Sequence, residues 1–309
     1  MRLRMEAPAA WSLTFQSVRQ RYVLMTHSRS YSAALVQMHV ATVLFGMSAI
    51  FGKLVESSPS VLVCGRAVFG VVALGLVCGV RHGAPWRQVT GRGLAGLMGG
   101  GVLLTLHYVT FFKAIQVGGV AVGTLGFACF PAFVTLVEAL AFREWPKRHE
   151  YALIALVTAG LVLITPSFSL HDQGTEGLLW GVASGAVYSI LAVANRFTAS
   201  RVSGAEAAWW QNLAMLVCLV PFSAQGLADA PAMDWLWFAC LGLLCTALAY
   251  TLFVNSLTVL KARLAALIIA LEPVYAIVMA WAVFHETPGP RMIAGGALIL
   301  GAVVWAGRR

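Results

Sequence analysis

Apolar residues in this chain come in long blocks with short polar joints between them. Ten blocks run near 33–54, 61–80, 94–112, 119–141, 150–166, 178–198, 206–225, 235–254, 263–284 and 291–307. A bilayer core takes a helix of roughly 20 residues, so each block predicts a spanning helix, several of them short. The joints are rich in turn residues: Glu-Ser-Ser-Pro-Ser at 56–60, Val-Gly-Gly at 117–119, Thr-Pro-Gly-Pro at 287–290. No joint is long enough to hold a soluble domain.

The stretch from Ala262 to Glu286 breaks the apolar rule in its middle, at Glu272-Pro273. A carboxylate there costs free energy in hydrocarbon, so it should face protein or a wet cavity. The proline removes a backbone hydrogen bond and frees a carbonyl. A second copy lies upstream. Subtracting 142 takes Pro273 to Pro131, Phe284 to Phe142, Glu286 to Glu144, Tyr250 to Tyr108 and Phe253 to Phe111. Phe45, Ala49 and Lys53 pair with Tyr188, Ala192 and Arg196 at 143. The chain is a tandem duplication. Five spans is an odd number, so the second copy enters the membrane from the opposite side. The expected fold is an all-α integral membrane protein of ten transmembrane helices, arranged as two inverted-topology five-helix repeats. Residues 1–32 form a basic N-terminal cytoplasmic tail, 33–166 the first repeat and 176–309 the second.

Composition agrees with the block pattern: 60% of residues are hydrophobic, 11% are charged, and mean hydropathy is +0.81. Soluble domains carry about 25% charged residues. The net charge of +9 would suit nucleic acid, but its distribution argues for topology instead. With the N-terminus inside, 17 of the 21 Lys and Arg fall on inside segments, and Lys53, Lys113 and Arg291 on outside ends. Both termini are therefore expected in the cytoplasm. In the tail, Arg2, Arg4, Arg19, Arg21 and Arg29 surround Trp11, Leu13, Phe15 and Val18. It reads as a disordered segment or as a helix on the membrane surface. No signal peptide is expected, and Met25 is an alternative start. The six cysteines lie inside apolar spans without metal-ligand spacing, so neither a disulfide nor a metal is expected.

These features together resemble the EamA family of the drug/metabolite transporter superfamily. The residues that carry the resemblance are Glu272-Pro273, the closing Glu144 and Glu286, the Ala-Leu-Ala-Tyr-Thr-Leu-Phe run at 247–253 and the 5+5 duplication. It covers about residues 33 to 307. It implies a central cavity lined by the first four helices of each half, with the fifth helices (150–166 and 291–307) outside. It also implies secondary active export of amino acids or related small metabolites across the cytoplasmic (inner) membrane, by alternating access. Vitamins, nucleotide sugars and sugar phosphates are the alternative solutes, and a membrane enzyme is a further one. This chain departs from a strict duplication where Phe130-Pro131 stands opposite Glu272-Pro273.

Glu272 lies about nine residues into its span, roughly 13 Å deep at about 1.5 Å per residue. It can exchange a proton, pair with a substrate amine, or tie two helices together. His107 is either a titrating group or a satisfied core histidine. Tyr108 and Tyr250 either gate and stack on a solute or pack between helices. Arg66 can attract a carboxylate or phosphate, snorkel to the interface, or pair with Glu56. His39, Gln211, Asn212 and Asn255 lie toward the cytoplasmic face, and Glu138 reaches water at the inner end of its span. Tyr275 and Trp281 are cavity candidates by position. Pro131 and Pro273 are the expected helix breaks. Gly75-xxx-Gly79 and Gly181-xxx-Gly185 predict close helix approach. Gly99-Gly100-Gly101 is not a phosphate loop, because no Lys-Ser/Thr follows. No HExxH, GxSxG or ATP-binding loop is present, so no catalytic set, cofactor or primary pump is expected. The partners are a small metabolite, protons as a coupling ion, and lipid, with the chain a monomer or homodimer.

Overall fold

The computed structural model describes residues 9–81, 89, 91–143, 145–165, 169, 171–198, 203–260 and 262–307. Of the residues singled out above, Arg2, Arg4 and Glu144 lie outside these. The described residues are all-helical, without strands. The first half holds α1 (Ala9–Leu54), α2 (Pro59–Arg81), α3 (Gly91–Phe127), α4 (Phe130–Phe142) and α5 (Arg148–Ile164). The second holds α6 (Gln173–Thr198), α7 (Gly204–Ala228), α8 (Ala232–Gly242), α9 (Ala249–Leu257), α10 (Ala262–Ile269), α11 (Glu272–Phe284) and α12 (Pro290–Gly307). A π-helical turn, Leu243–Leu248, joins α8 to α9 without interruption. Among the described residues six helices are long and apolar enough to cross a membrane, and α4, α11 and α12 are shorter apolar helices. The protein is an integral membrane protein. Helix α1 reaches back to Ala9, and its apolar part is Tyr31–Leu54.

The two halves share their irregularities. Gly119 has φ 84°, and the chain turns there inside α3. The apolar stretch that follows is itself broken, ending at Phe127 and resuming at Phe130 as α4. In the second half α10 ends at Ile269 and α11 begins at Glu272, each 142 residues further on. The cause is the proline: neither Pro131 nor Pro273 has an N–H for the carbonyl four residues back. The chain tightens at both breaks, where Cys129 N–H donates to Gly126 O (3.4 Å) and Leu271 N–H to Ile268 O (3.0 Å). Both resumed helices end on a left-handed residue, Arg143 (φ 55°) and His285 (φ 57°). Each donates its N–H to the carbonyl four residues earlier, that of Ala139 or Trp281. The π turn has no counterpart in α3, which departs from helical geometry only at Gly119.

Helix α2 packs on α7 and α5 on α12, so each meets its own repeat mate. Leu153, Val157, Ile164, Ile299 and Ala302 form a core on the α5–α12 side. The main core lies under α1, α2, α3 and α8, around Leu62, Phe112, Phe238 and Leu241. The largest helix–helix contact is α3 on α6, and small residues set its closeness. A Cβ at Gly177 would lie 2.4 Å from the Cα of Gly118, and one at Gly181 2.8 Å from the Gly123 carbonyl. Gly185 is close but less tight, its nearest neighbours at 3.1 Å, whereas Gly79 meets nothing within 4 Å, so the Gly75–Gly79 spacing is not a contact motif. Gly177→Ala is therefore expected to cost about 1–3 kcal/mol by overpacking backbone against backbone. A thermal melt of the purified variant beside Gly79→Ala checks this, with the Gly79 variant expected near wild type.

Candidate functional site

A cavity of about 350 Å³ lies between the halves, at the level of both helix breaks. Its wall follows the repeat: Phe45 and Tyr188, Ser48 and Leu191, Arg66 and Ala208, Tyr108 and Tyr250, Phe111 and Phe253, Phe127 and Ile269. Each pair is separated by 142 or 143 residues, so the cavity sits where the duplicated halves meet. None of α5 or α12 lines it. Phe127 and Ile269, whose carbonyls lose the hydrogen bond that the prolines cannot make, both line it.

Two charged side chains on the wall have no charged mate. Glu272 opens α11 just past the break, opposite Phe130 in the repeat. Gly46 on α1 lets that break come close: a Cβ there would lie 3.2 Å from the Glu272 carbonyl. Glu272 is in no salt bridge among the described residues. Arg66, on α2, is 1% exposed. Its Nη2 donates to Thr246 Oγ1 at 2.7 Å, and its Cζ stands 3.8 Å from the centre of the Tyr108 ring. Its Nε and Nη1 have no hydrogen-bond partner among the described residues. It neither snorkels nor pairs with Glu56, whose backbone N–H is instead held by Asp234. Thr246 lies in the π turn and donates its hydroxyl proton to Leu241 O at 2.8 Å. That hydroxyl therefore presents only acceptor lone pairs to the guanidinium.

His107 is buried, with Nδ1 2.8 Å from Ser184 Oγ, and its ring lies among those of Tyr108, Phe111, Phe127 and Tyr188. No hydrogen bond joins it to Glu272 among the described residues. Tyr250 and Tyr108 are mates with different neighbours. Tyr108 carries the arginine, while the Tyr250 hydroxyl lies against Gly204 at the start of α7. Gln211 lines the cavity and donates to Asn195 Oδ1 at 2.8 Å. Asn212 does not line it. Four further candidates lie elsewhere. His39 Nδ1 and Tyr275 Oη are 3.0 Å apart and tie α1 to α11, and Asn255 is also off the wall. Trp281 is 57% exposed and points away from the cavity. Sequence reasoning missed Ser184, Tyr188 and Thr246 as site residues. Tyr188 was within reach, since it was already matched to Phe45, but Thr246 was not, because nothing in sequence announces a π turn.

One end of the bundle is tied across the halves. Lys53 pairs with Glu286 and lies 4.9 Å from the centre of the Phe284 ring. Asp234, buried, accepts from the backbone of Glu56 (3.1 Å) and Ser57 (2.9 Å). Gln116 donates to Ser57 O at 3.1 Å. The cavity wall reaches the opposite end, at Asn195, Gly204 and Ala207.

The fold and cavity define a helical membrane protein with an internal solute-sized chamber built from two related halves. The chain belongs to the EamA-like transporter family, which it matches over residues 32–165 and again over 175–308. It is similar to the uncharacterized transporter YxxF of Bacillus subtilis (24% identity over 82% of each chain). It is also similar to an uncharacterized transporter of Archaeoglobus fulgidus, with 25% identity over 87% of this chain and 94% of the relative. A protein of Streptantibioticus cattleyicolor named "Probable terminal-alkyne amino-acid exporter" is 27% identical over 59% of this chain and 62% of its own. A solved crystal structure shares the fold with a TM-score of 0.59 at 20% identity, over 89% of this chain and 96% of the other.

Proposed function

We propose that this chain is a secondary active transporter that exports amino acids or related small metabolites across the cytoplasmic membrane by alternating access. In this reading ten spans form two five-helix repeats of opposite orientation, with both termini in the cytoplasm. Each broken apolar stretch, Gly119–Phe142 and Ala262–Phe284, then counts as one span. The observation that carries the reading is the cavity wall: residues related by the repeat line it in pairs, at the level of two helix breaks. Solute sites of inverted-repeat carriers lie in such places. The charge rule puts the Lys53–Glu286 end outside. The described state is then closed outward, with its wall reaching the cytoplasmic end.

The amino-acid class is supported by the name of one relative and by the wall itself, which offers one guanidinium and one carboxylate between aromatic faces. Solutes with several negative charges call for several cations. Arg66 is the sole cation among the described wall residues. Glu272 is the coupling group for protons, and no chemistry on the solute is assigned to the chain. The test is metabolite profiling of medium from cells expressing the protein, with Glu272→Gln cells as control. Selective accumulation of one compound class outside wild-type cells is expected. Equal profiles, together with no uptake into vesicles holding the purified protein, would sink the reading.

A further inference from the structure

Arg66 is a buried cation whose described surroundings do not account for its charge. A buried guanidinium without a counter-ion is costly, and leaving its donors unmet adds to the cost. Among the described residues it has no ion pair, and two of its three nitrogens lack an acceptor. Yet it is rigidly placed. Thr246 fixes one nitrogen from the π turn, and the Tyr108 ring supports one face. π turns inside helices recur at functional sites. This one occurs in one half only, on the helix facing the one half-specific cation of the wall. The unmet donors belong to a side chain that lines the chamber.

We propose that Arg66 is a carboxylate anchor: its Nε and Nη1 donors take the carboxylate of a small organic acid or amino acid. The apolar or aromatic remainder of that solute lies on the faces of Phe45, Phe111, Phe127, Tyr188 and Phe253. The carboxylate, not the amine, is the obligatory handle. This deepens the transporter reading and rests on it for the identity of the chamber. A planar monoanion matches the guanidinium fork and leaves no excess charge. A phosphate monoester carries about two negative charges near neutral pH and would face Glu272 on the same wall. The anchor also explains why the repeat mate of Arg66 is Ala208: a single carboxylate needs a single fork.

The experiment is a thermal-shift titration of the purified full chain in detergent. The probes are L-phenylalanine, 3-phenylpropionate, L-phenylalaninamide and phenyl phosphate. The two carboxylates are expected to raise the melting midpoint of the wild type, and the amide and the phosphate ester are not. Arg66→Gln should weaken the carboxylate response about 10- to 100-fold, the range of a lost charge-assisted bond or two. Its ligand-free midpoint should not fall below that of the wild type, since the cation it removes had no counter-ion to lose. Should that variant not fold, Thr246→Val keeps the charge and frees Nη2, and a several-fold weaker carboxylate response is expected there. Equal shifts by amide and carboxylate, a stronger response to the phosphate ester, no carboxylate response, or unchanged affinity in both variants would each overturn the anchor. Flux separates the two readings. Carboxylate binding without transport leaves the anchor standing and sinks the transporter. Transport of an uncharged solute at wild-type rate through Arg66→Gln does the reverse.

Discussion

Glu272→Gln is expected to uncouple transport from the pH gradient while leaving solute exchange in place. The reasoning starts from position. Glu272 follows directly on the Leu271 break, lines the chamber, and has no salt-bridge partner among the described residues. A carboxyl group so placed can be neutral or charged depending on which side of the membrane the chamber meets. Glutamine keeps the shape and one acceptor but loses the exchangeable proton. In vesicles with an imposed pH gradient, accumulation of solute should fall by about 5- to 150-fold, the span of a coupling free energy of about 1–3 kcal/mol. Counterflow with no gradient should stay within a few-fold of wild type. Accumulation that still follows the pH gradient in the variant would remove Glu272 from the coupling step. Loss of counterflow as well would make it a solute-binding group instead. His107 is not an alternative carrier of that role, because Ser184 and four aromatic rings surround it.

The duplication was legible because it is written in residue types. Pro131 and Pro273 mark breaks that the folded chain places at the same register, and Tyr108 and Tyr250 both reach the wall. Glu272 and Arg66 stood out because a charge inside an apolar block must be accounted for. Three features were not legible, each for a physical reason. Whether Arg66 snorkels or stays inside depends on what its helix packs against, and α8 and its π turn lie about 180 residues away in sequence. Tyr275 lies about one turn beyond Glu272 on a neighbouring face of the helix, but its hydroxyl meets His39 of α1 and the residue does not line the chamber. Trp281 was placed by depth alone, and depth says nothing about which face of a helix looks outward. In the sequence Asp234 stands in a joint between two apolar blocks. It is buried, and its carboxylate organises the loop between α1 and α2.

Lys53 and Glu286 are 233 residues apart, and their pairing joins the end of α1 to the end of the second repeat's broken span. In the alternating-access reading this pair must part each time the chamber opens outward, so it sets part of the balance between the two states. Lys53→Glu places two carboxylates together and should favour the outward-open state. Both side chains are partly exposed, so the effect lies between that of a surface pair, about 1 kcal/mol or less, and that of a buried one, about 3–5 kcal/mol. A shift of about 1.4 kcal/mol, or roughly tenfold in population, is expected. The readout is labelling of Ser48→Cys, a wall position, by a membrane-impermeant maleimide in right-side-out vesicles, measured against the same protein without that cysteine. Labelling should rise about tenfold in Lys53→Glu and transport should slow. The double exchange, Lys53→Glu with Glu286→Lys, restores the attraction with reversed sign and should return labelling most of the way to wild type. Added salt should narrow the difference between single and double variants. If the double variant labels like the single one, the pair is incidental and closure rests on Asp234. The sequence repeat matches Lys53 to Arg196 at an offset of 143 and Glu286 to Glu144 at 142, so the alternating-access reading predicts an equivalent pair that closes the other side, and the inverse result there. Arg196→Glu should lower the outward labelling of Lys53→Glu, because weakening both ends restores the balance that weakening one of them tips.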